Sequence, residues 1–266
     1  MREIFRLLRL TFAAKIKLKA LDRKIRVGAV SYLNTRPLLY GIERSPVLKE
    51  MTLITDYPAR IADLLLKDGI DVGLVPVAII PEMKEYHINT RYVIGCDGPV
   101  ASVCLFSEVP VENLEHVMMD YQSMTSVVLA RILLREYWKI NPAIQHTAEG
   151  FLEKIKGTTG AVVIGDRALK QRSVSKYVYD LGEAWKNLTG LPFVFAAWIS
   201  NKKLDPDWVT AFETANGMGV QHIDQVLEGR ENEYFNLKDY YTRYLSYEMN
   251  DEKEKGLQAF LKKIGG

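Results

Sequence analysis

Cysteine and histidine are scarce in this chain. Only Cys96 and Cys104 occur among its 266 residues. They form no C-x-x-C pair, which excludes a zinc knuckle or a thioredoxin-like motif. Their spacing leaves a disulfide open, but free thiols in a reducing cytoplasm are expected, because disulfides are rare there. The four histidines, His87, His116, His146 and His222, make no H-x-x-x-H or H-E-x-x-H pair. Each therefore reads as a surface or core residue, and no metal is expected. Walker A, G-x-G-x-x-G and G-x-S-x-G patterns are absent as well. Nucleotide binding and a nucleophile-elbow hydrolase have no motif behind them, and no cofactor is expected. Strong net charge is also lacking. A formal balance of +2 argues against a nucleic-acid binder.

Long apolar runs are missing from the start of the chain. In residues 1–24 the longest clean piece, LTFAA, is bounded by Arg9 and Lys15. A secretory signal wants about 7–15 apolar residues and a membrane span about 20, so neither is expected. The leader is basic, with eight Lys/Arg against two Asp/Glu, whereas the remainder holds 27 basic and 31 acidic residues. A basic amphipathic helix on an anionic membrane is one reading of it. The plainer and favoured reading is an extension outside the folded body.

What is present is an ordinary globular composition, 48% hydrophobic and 26% charged, so a packed core is expected. IRVGAV (25–30) reads as a buried strand. RPLLYGIER (36–44) reads as a helix with Pro37 in its first turn, where a missing N–H costs little. A strand at 51–58, an amphipathic helix at 58–69 and a buried strand at 71–79 follow. This β-α-β-α-β order predicts an α/β fold with a parallel sheet. The pattern restarts near residue 100, with a β-rich run at 99–110, a strand at 116–120 and a helix over 123–138. It returns with the strand LPFVFAAWISN (191–201). From Asp205 the chain reads helical to its end. Two lobes joined by two crossovers fit this order: residues 25–99 plus 198–266 in one, 100–197 in the other. Ligands of such sheets bind outside the strand carboxyl ends, so a ligand cleft between the lobes is expected.

The polar residues at those ends are the candidates. After IRVGAV come Ser31, Asn34 and Thr35, hydrogen-bond donors at the start of a helix whose free N–H groups favour an anion. Plain capping explains them equally well. In the second lobe, HVMMD runs into a helix whose first turn carries Ser123, Thr125 and Ser126. Capping accounts for one of these hydroxyls, not for all three, so ligand binding is favoured. Ser102, at the crossover, faces the cleft or is simply a small residue in a strand. Asp166, after Ile164-Gly165, is a ligand contact or a helix cap. The tyrosines and tryptophans at 137, 138, 177, 179, 240, 241 and 244 read as packing. A cleft of amides, hydroxyls and helix ends suits a small anion.

The segment VGAVSYLNTRPL resembles the opening of the chorismate dehydratases of the futalosine route to menaquinone. DVGLVPV, GPVASV, D-x-x-S-x-T-S (120–126), GDRAL and TGLPFVFAAW extend the resemblance over about residues 25 to 250. It implies a two-lobed type 2 periplasmic-binding-protein-like fold used as an enzyme. It implies loss of water from chorismate to give 3-[(1-carboxyvinyl)oxy]benzoate, with a substrate carboxylate as base, in the cytoplasm. It makes Asn34 the catalytic residue, Ser102 a substrate contact, and Ser123, Thr125 and Ser126 the clamp of a substrate carboxylate; Ser31, Thr35 and Asp166 stand beside them as substrate-binding candidates from their places at strand ends. Two alternatives stand beside it. One is a non-catalytic anion-binding protein of the same fold, which would need an export signal. The other is the sister dihydroxynaphthoate synthase, whose opening motif differs from SYLNTRP.

Overall fold

The computed structural model describes residues 24–265. The basic leader, residues 1–23, lies outside the described residues, and with it the membrane reading of that segment. The first lobe begins with β1 (Ile25–Val30), α1 (Arg36–Arg44), β2 (Met51–Asp56), α2 (Pro58–Leu66), β3 (Val72–Pro76) and β4 (His87–Cys96). The second contains β5 (Val103–Ser107), β6 (His116–Met119), α3 (Thr125–Glu136), β7 (Ala143–His146), β8 (Thr159–Ile164), α4 (Asp166–Gln171) and β9 (Tyr177–Asp180). After α5 (Leu181–Thr189) the chain returns through β10 (Phe193–Ser200), α6 (Pro206–Gln221), β11 (Ser246–Glu248) and α7 (Asp251–Gly265).

These strands form two mixed sheets, in the orders β11-β4-β10-β3-β1-β2 and β7-β6-β8-β5-β9. The expected parallel pairing is present: β1 runs parallel to β2 from Ile25↔Met51 to Val30↔Asp56, and parallel to β3. What makes each sheet mixed is the strand that has crossed between lobes. β10 inserts antiparallel between β3 and β4, and β5 inserts antiparallel between β8 and β9. The two lobes therefore share two connections. The expected boundary at 198 falls inside β10, every residue of which sits in the first sheet.

Packing follows the pleat. Val103 and Leu105 face a core that runs through both lobes, while Cys104 and Phe106 face a smaller cluster with Met118 and Phe151 on the other side of the second sheet. This is the period-two alternation of a strand buried on both faces. In the first lobe, α1 packs on α6 almost backbone to backbone. A Cβ on Gly41 would collide with the Ala215 carbonyl oxygen, and one on Gly219 with that of Pro37. These glycines let α6 press on the start of α1 and so fix the turn ahead of it.

Two local readings need correction, and one strand went unread. The chain is not helical from Asp205 to its end: a π-turn (Tyr240–Tyr244) leads into β11, which pairs antiparallel with β4. Three residues are too few to show a strand periodicity. The β-rich run 99–110 holds strand only from Val103 to Ser107, because its first part is the crossing turn. β7, mostly exposed at the edge of its sheet, has no apolar pattern to announce it.

Candidate active site

The carboxyl ends of β1, β3, β6 and β8 meet at one place, and a small cavity of about 50 Å³ lies there. It is lined by Asn34, Thr35, Ser102, Ser123, Thr125 and Ser126, and also by Tyr32 and Gly165. Val30, Pro76, Ile94, Val103, Ile164 and Phe195 make its apolar wall. Among the described residues, none that lines it carries a formal charge. Any anion held here is held by neutral donors and helix ends.

Each polar residue has a definite local role. Asn34 and Thr35 lie in a short 3-10 turn (Leu33–Thr35) that runs directly into α1. Thr35 is fully buried, and its hydroxyl donates to Asn34 Oδ1 at 3.1 Å. That leaves the Asn34 NH₂ without an acceptor among the described residues. The Asn34 carbonyl accepts from the buried Tyr247 hydroxyl at 2.9 Å. In the second lobe, Ser123 Oγ accepts from Ser126 N at 3.1 Å, which is the capping role weighed above. Thr125 Oγ1 accepts from Ala78 N at 3.1 Å, across the cleft. Ser126 Oγ has no hydrogen bond among the described residues. Three hydroxyls at one helix start thus have three different roles.

Two of the expected residues do not line the cavity. Ser31 is exposed. It follows Val30, and alternation along an extended chain sends Val30 and Tyr32 to the cavity side and Ser31 away. Asp166 binds the opposite lobe instead: its Oδ1 accepts from Leu33 N at 3.0 Å. Burial pushes its carboxyl above the usual carboxylate range, against the pull of the Leu33 N–H and of Arg36 and Arg167.

Several residues of the site went unread. Tyr32 stacks against Gly165, which sits at φ +65° and ψ −148°, a conformation only glycine adopts readily. A Cβ there would lie 2.8 Å from the Tyr32 ring. The Tyr32 hydroxyl, which burial pushes far above its usual pKa, donates to Gln122 Oε1. Gln122 Oε1 also accepts from Arg167 at 2.7 Å, and Arg167 bonds the buried Asp120 at 2.9 Å. At the crossing, Ala101 is buried at φ +62°, a strained value for a residue with a Cβ. Asp180 holds it there, accepting from Val100 N at 3.0 Å and Ala101 N at 2.7 Å. The same carboxylate caps α5 through Gly182 N and Glu183 N. The Asp180…Glu183 spacing is a legible cap signal, but its reach to a turn 79 residues away is not. Tyr240 completes the site, donating to Ser102 Oγ at 2.7 Å.

Both cysteines are free and buried. Burial pushes their thiols well above the usual range, so neither is a nucleophile at neutral pH. Among the described residues no three His, Cys, Asp or Glu converge on a point.

Fold and site together define a two-lobed protein of the periplasmic-binding-protein class, closed around a small-molecule cavity. The chain belongs to the menaquinone biosynthesis family, whose sequence model matches residues 25–265. Among curated relatives, the chorismate dehydratase of Thermus thermophilus is 27% identical over 262 residues, covering 90% of this chain and 94% of that one. The chorismate dehydratase of Campylobacter jejuni is 24% identical, covering 88% and 95%. Among solved structures, a protein of Archaeoglobus fulgidus superposes with a TM-score of 0.72 at 12% identity, covering 91% of this chain and 96% of that one. A Candida albicans protein, described as having the generic periplasmic binding protein fold, gives 0.57 at 13% identity, with 91% and 90% covered. These structural likenesses bear on the fold alone.

Proposed function

We propose that this chain is a chorismate dehydratase, a carbon–oxygen hydro-lyase of the cytoplasm. It eliminates water from chorismate to give 3-[(1-carboxyvinyl)oxy]benzoate. The observation that carries the proposal is the cavity itself. It has neutral donors on both lobes and an apolar wall between them, in a chain of this family. Chorismate matches that pattern, with two carboxylates and a hydroxyl around a flat ring.

The reaction breaks the C–H bond at the ring carbon bearing the ether and the C–O bond at its neighbour. The released proton and hydroxide make the water, and the new double bond makes the ring aromatic. No electrons are exchanged with a partner, so the step needs no redox cofactor. The work left to the protein is to hold both carboxylates and fix the ring so that the departing groups are aligned. Thr125, Ser126 and the N–H groups opening α3 clamp one carboxylate. Asn34 donates to the departing hydroxyl, where negative charge develops. Ser102 makes a further donor contact. Among the described residues no carboxylate or imidazole lines the cavity, and a carboxylate of the substrate takes the proton.

The test is to mix the purified chain with chorismate and follow products by mass spectrometry and ultraviolet absorbance. Loss of one water with a new benzoate chromophore, above the protein-free control, is the expected result. Intact chorismate beside demonstrably folded protein would move the reading to an anion receptor or to the sister reaction.

A further inference from the structure

Ser102 sits on the most tightly determined backbone of the site. Its N–H bonds Val100 O at 2.7 Å, closing a three-residue turn, and its carbonyl accepts from Gly165 N at 2.8 Å. Ala101 before it is held at positive φ by Asp180. The position of its Cβ is therefore fixed, but a serine hydroxyl still has to choose where its proton points. It offers one donor and two acceptor lone pairs.

Tyr240 makes that choice. It is fully buried, in the π-turn that leads into β11, and its hydroxyl meets Ser102 Oγ at 2.7 Å. Among the described residues neither oxygen has a second hydrogen bond. If Ser102 donated to Tyr240, the phenolic proton would be buried with no acceptor, which is costly. If Tyr240 donates, both protons are used: the phenolic one on Ser102, the serine one in the cavity that Ser102 lines. Burial also drives the Tyr240 pKa far up, so the phenol keeps the proton that it donates.

We infer that Tyr240 is a positioning residue that makes Ser102 an obligate hydrogen-bond donor to the bound substrate. This inference rests on the proposed dehydratase reading and sharpens it. Ser102 then recognises an acceptor oxygen, a carboxylate or the departing hydroxyl, and disfavours a group that must itself donate. Another buried tyrosine of the same segment, Tyr247, supports the turn of Asn34. The C-terminal segment thus holds two of the site's donors from behind.

The experiment is a double-mutant cycle on the whole chain: wild type, Tyr240→Phe, Ser102→Ala and the double variant, each with its melting temperature and its kcat and KM for chorismate. Ser102→Ala removes a donor and should cost roughly 10²-fold in kcat/KM. Tyr240→Phe leaves the serine hydroxyl in place but frees it among its three rotamers, for a loss of roughly three- to tenfold. That loss should fall more on kcat than on KM. With Ser102→Ala already present, Tyr240→Phe should cost nothing further. If Tyr240→Phe costs the same factor with and without Ser102, or costs nothing in wild type, the inference is overturned. A wild-type chain that binds chorismate without converting it sinks the dehydratase reading alone, and the same cycle is then read in Kd by calorimetry. A chain that neither binds nor converts it overturns both.

Discussion

Among the described residues, Asn34 is the only amide side chain lining the cavity, and its NH₂ has no acceptor. Its Oδ1 is committed to Thr35, and its carbonyl to Tyr247. The side chain is thus held while its donor stays available, which is what preorganised stabilisation of a developing charge requires. Asn34→Ala should lose roughly 10²–10³-fold in turnover. The fold should persist with a stability loss of about 1–2 kcal/mol, because the buried Thr35 hydroxyl loses its acceptor. Steady-state kinetics beside a thermal melt checks this, and unchanged turnover removes Asn34 from the mechanism. At this scale the sequence displayed Asn34, Thr35 and the hydroxyls of α3, because each lies within a few residues of a strand end and a helix start. It did not display Tyr240, 138 residues from its partner Ser102. A buried tyrosine that orients a hydroxyl and one that merely packs look alike in a sequence; only the bond separates them. Ser31 and Asp166 were legible as polar residues near a strand end, but the direction of their side chains was not.

The ends of the strands opposite the cavity are tied by one carboxylate. Asp71, just before β3, accepts from the Arg26 backbone N at 2.9 Å and from its guanidinium at 3.0 and 3.1 Å. Lys202, just after β10, adds a bond at 2.8 Å. Burial works against this carboxylate, but the bonds from Arg26 and Lys202 outweigh it and hold its pKa well below the usual range. A depressed acid contributes stability above its unfolded pKa, about 3.9, and loses it as pH falls below that value. Asp71→Asn should therefore destabilise the fold by about 2–3 kcal/mol at pH 7, a cost that holds down to about pH 4 and shrinks progressively below it as pH moves towards the lowered folded value, with most of it still present at about pH 3. Denaturant unfolding of both chains over a pH series from about 7 downward tests this; a cost that does not shrink below about pH 4 would mean that the charge is not what matters. β1, α1, β2, α2 and β3 were legible as elements because each is long enough to show its period. β7 and β11 were not. One is exposed and the other has three residues, so both exist through pairing with a neighbour rather than through their own pattern.

Among the described residues, four of the bonds that join the two lobes lie around the cavity. Leu33 N donates to Asp166, the Tyr32 hydroxyl to Gln122 Oε1, Ala59 N to Gln122 O and Ala78 N to Thr125 Oγ1. This is a closed arrangement, and for two lobes on two crossings closure is a hinge motion. Two lobes were legible in the restart of the β-α pattern near residue 100; which groups join them was not, since every such bond pairs distant segments. Asp166 offers the cleanest handle, because it does not line the cavity, so its loss takes nothing from the substrate directly. Asp166→Ala leaves Leu33 N without its partner and should weaken the closed state by about 1 kcal/mol. If substrate binds the closed state, affinity falls by the same factor, roughly fivefold, while turnover at saturation is kept. Small-angle scattering should show a larger radius of gyration for the free variant than for free wild type, with both contracting to one value in saturating chorismate. Equal radii with an unchanged KM would mean that the Asp166 bond does not hold the lobes together. A fall in kcat with KM unchanged would instead place Asp166 among the groups acting on the reacting ring.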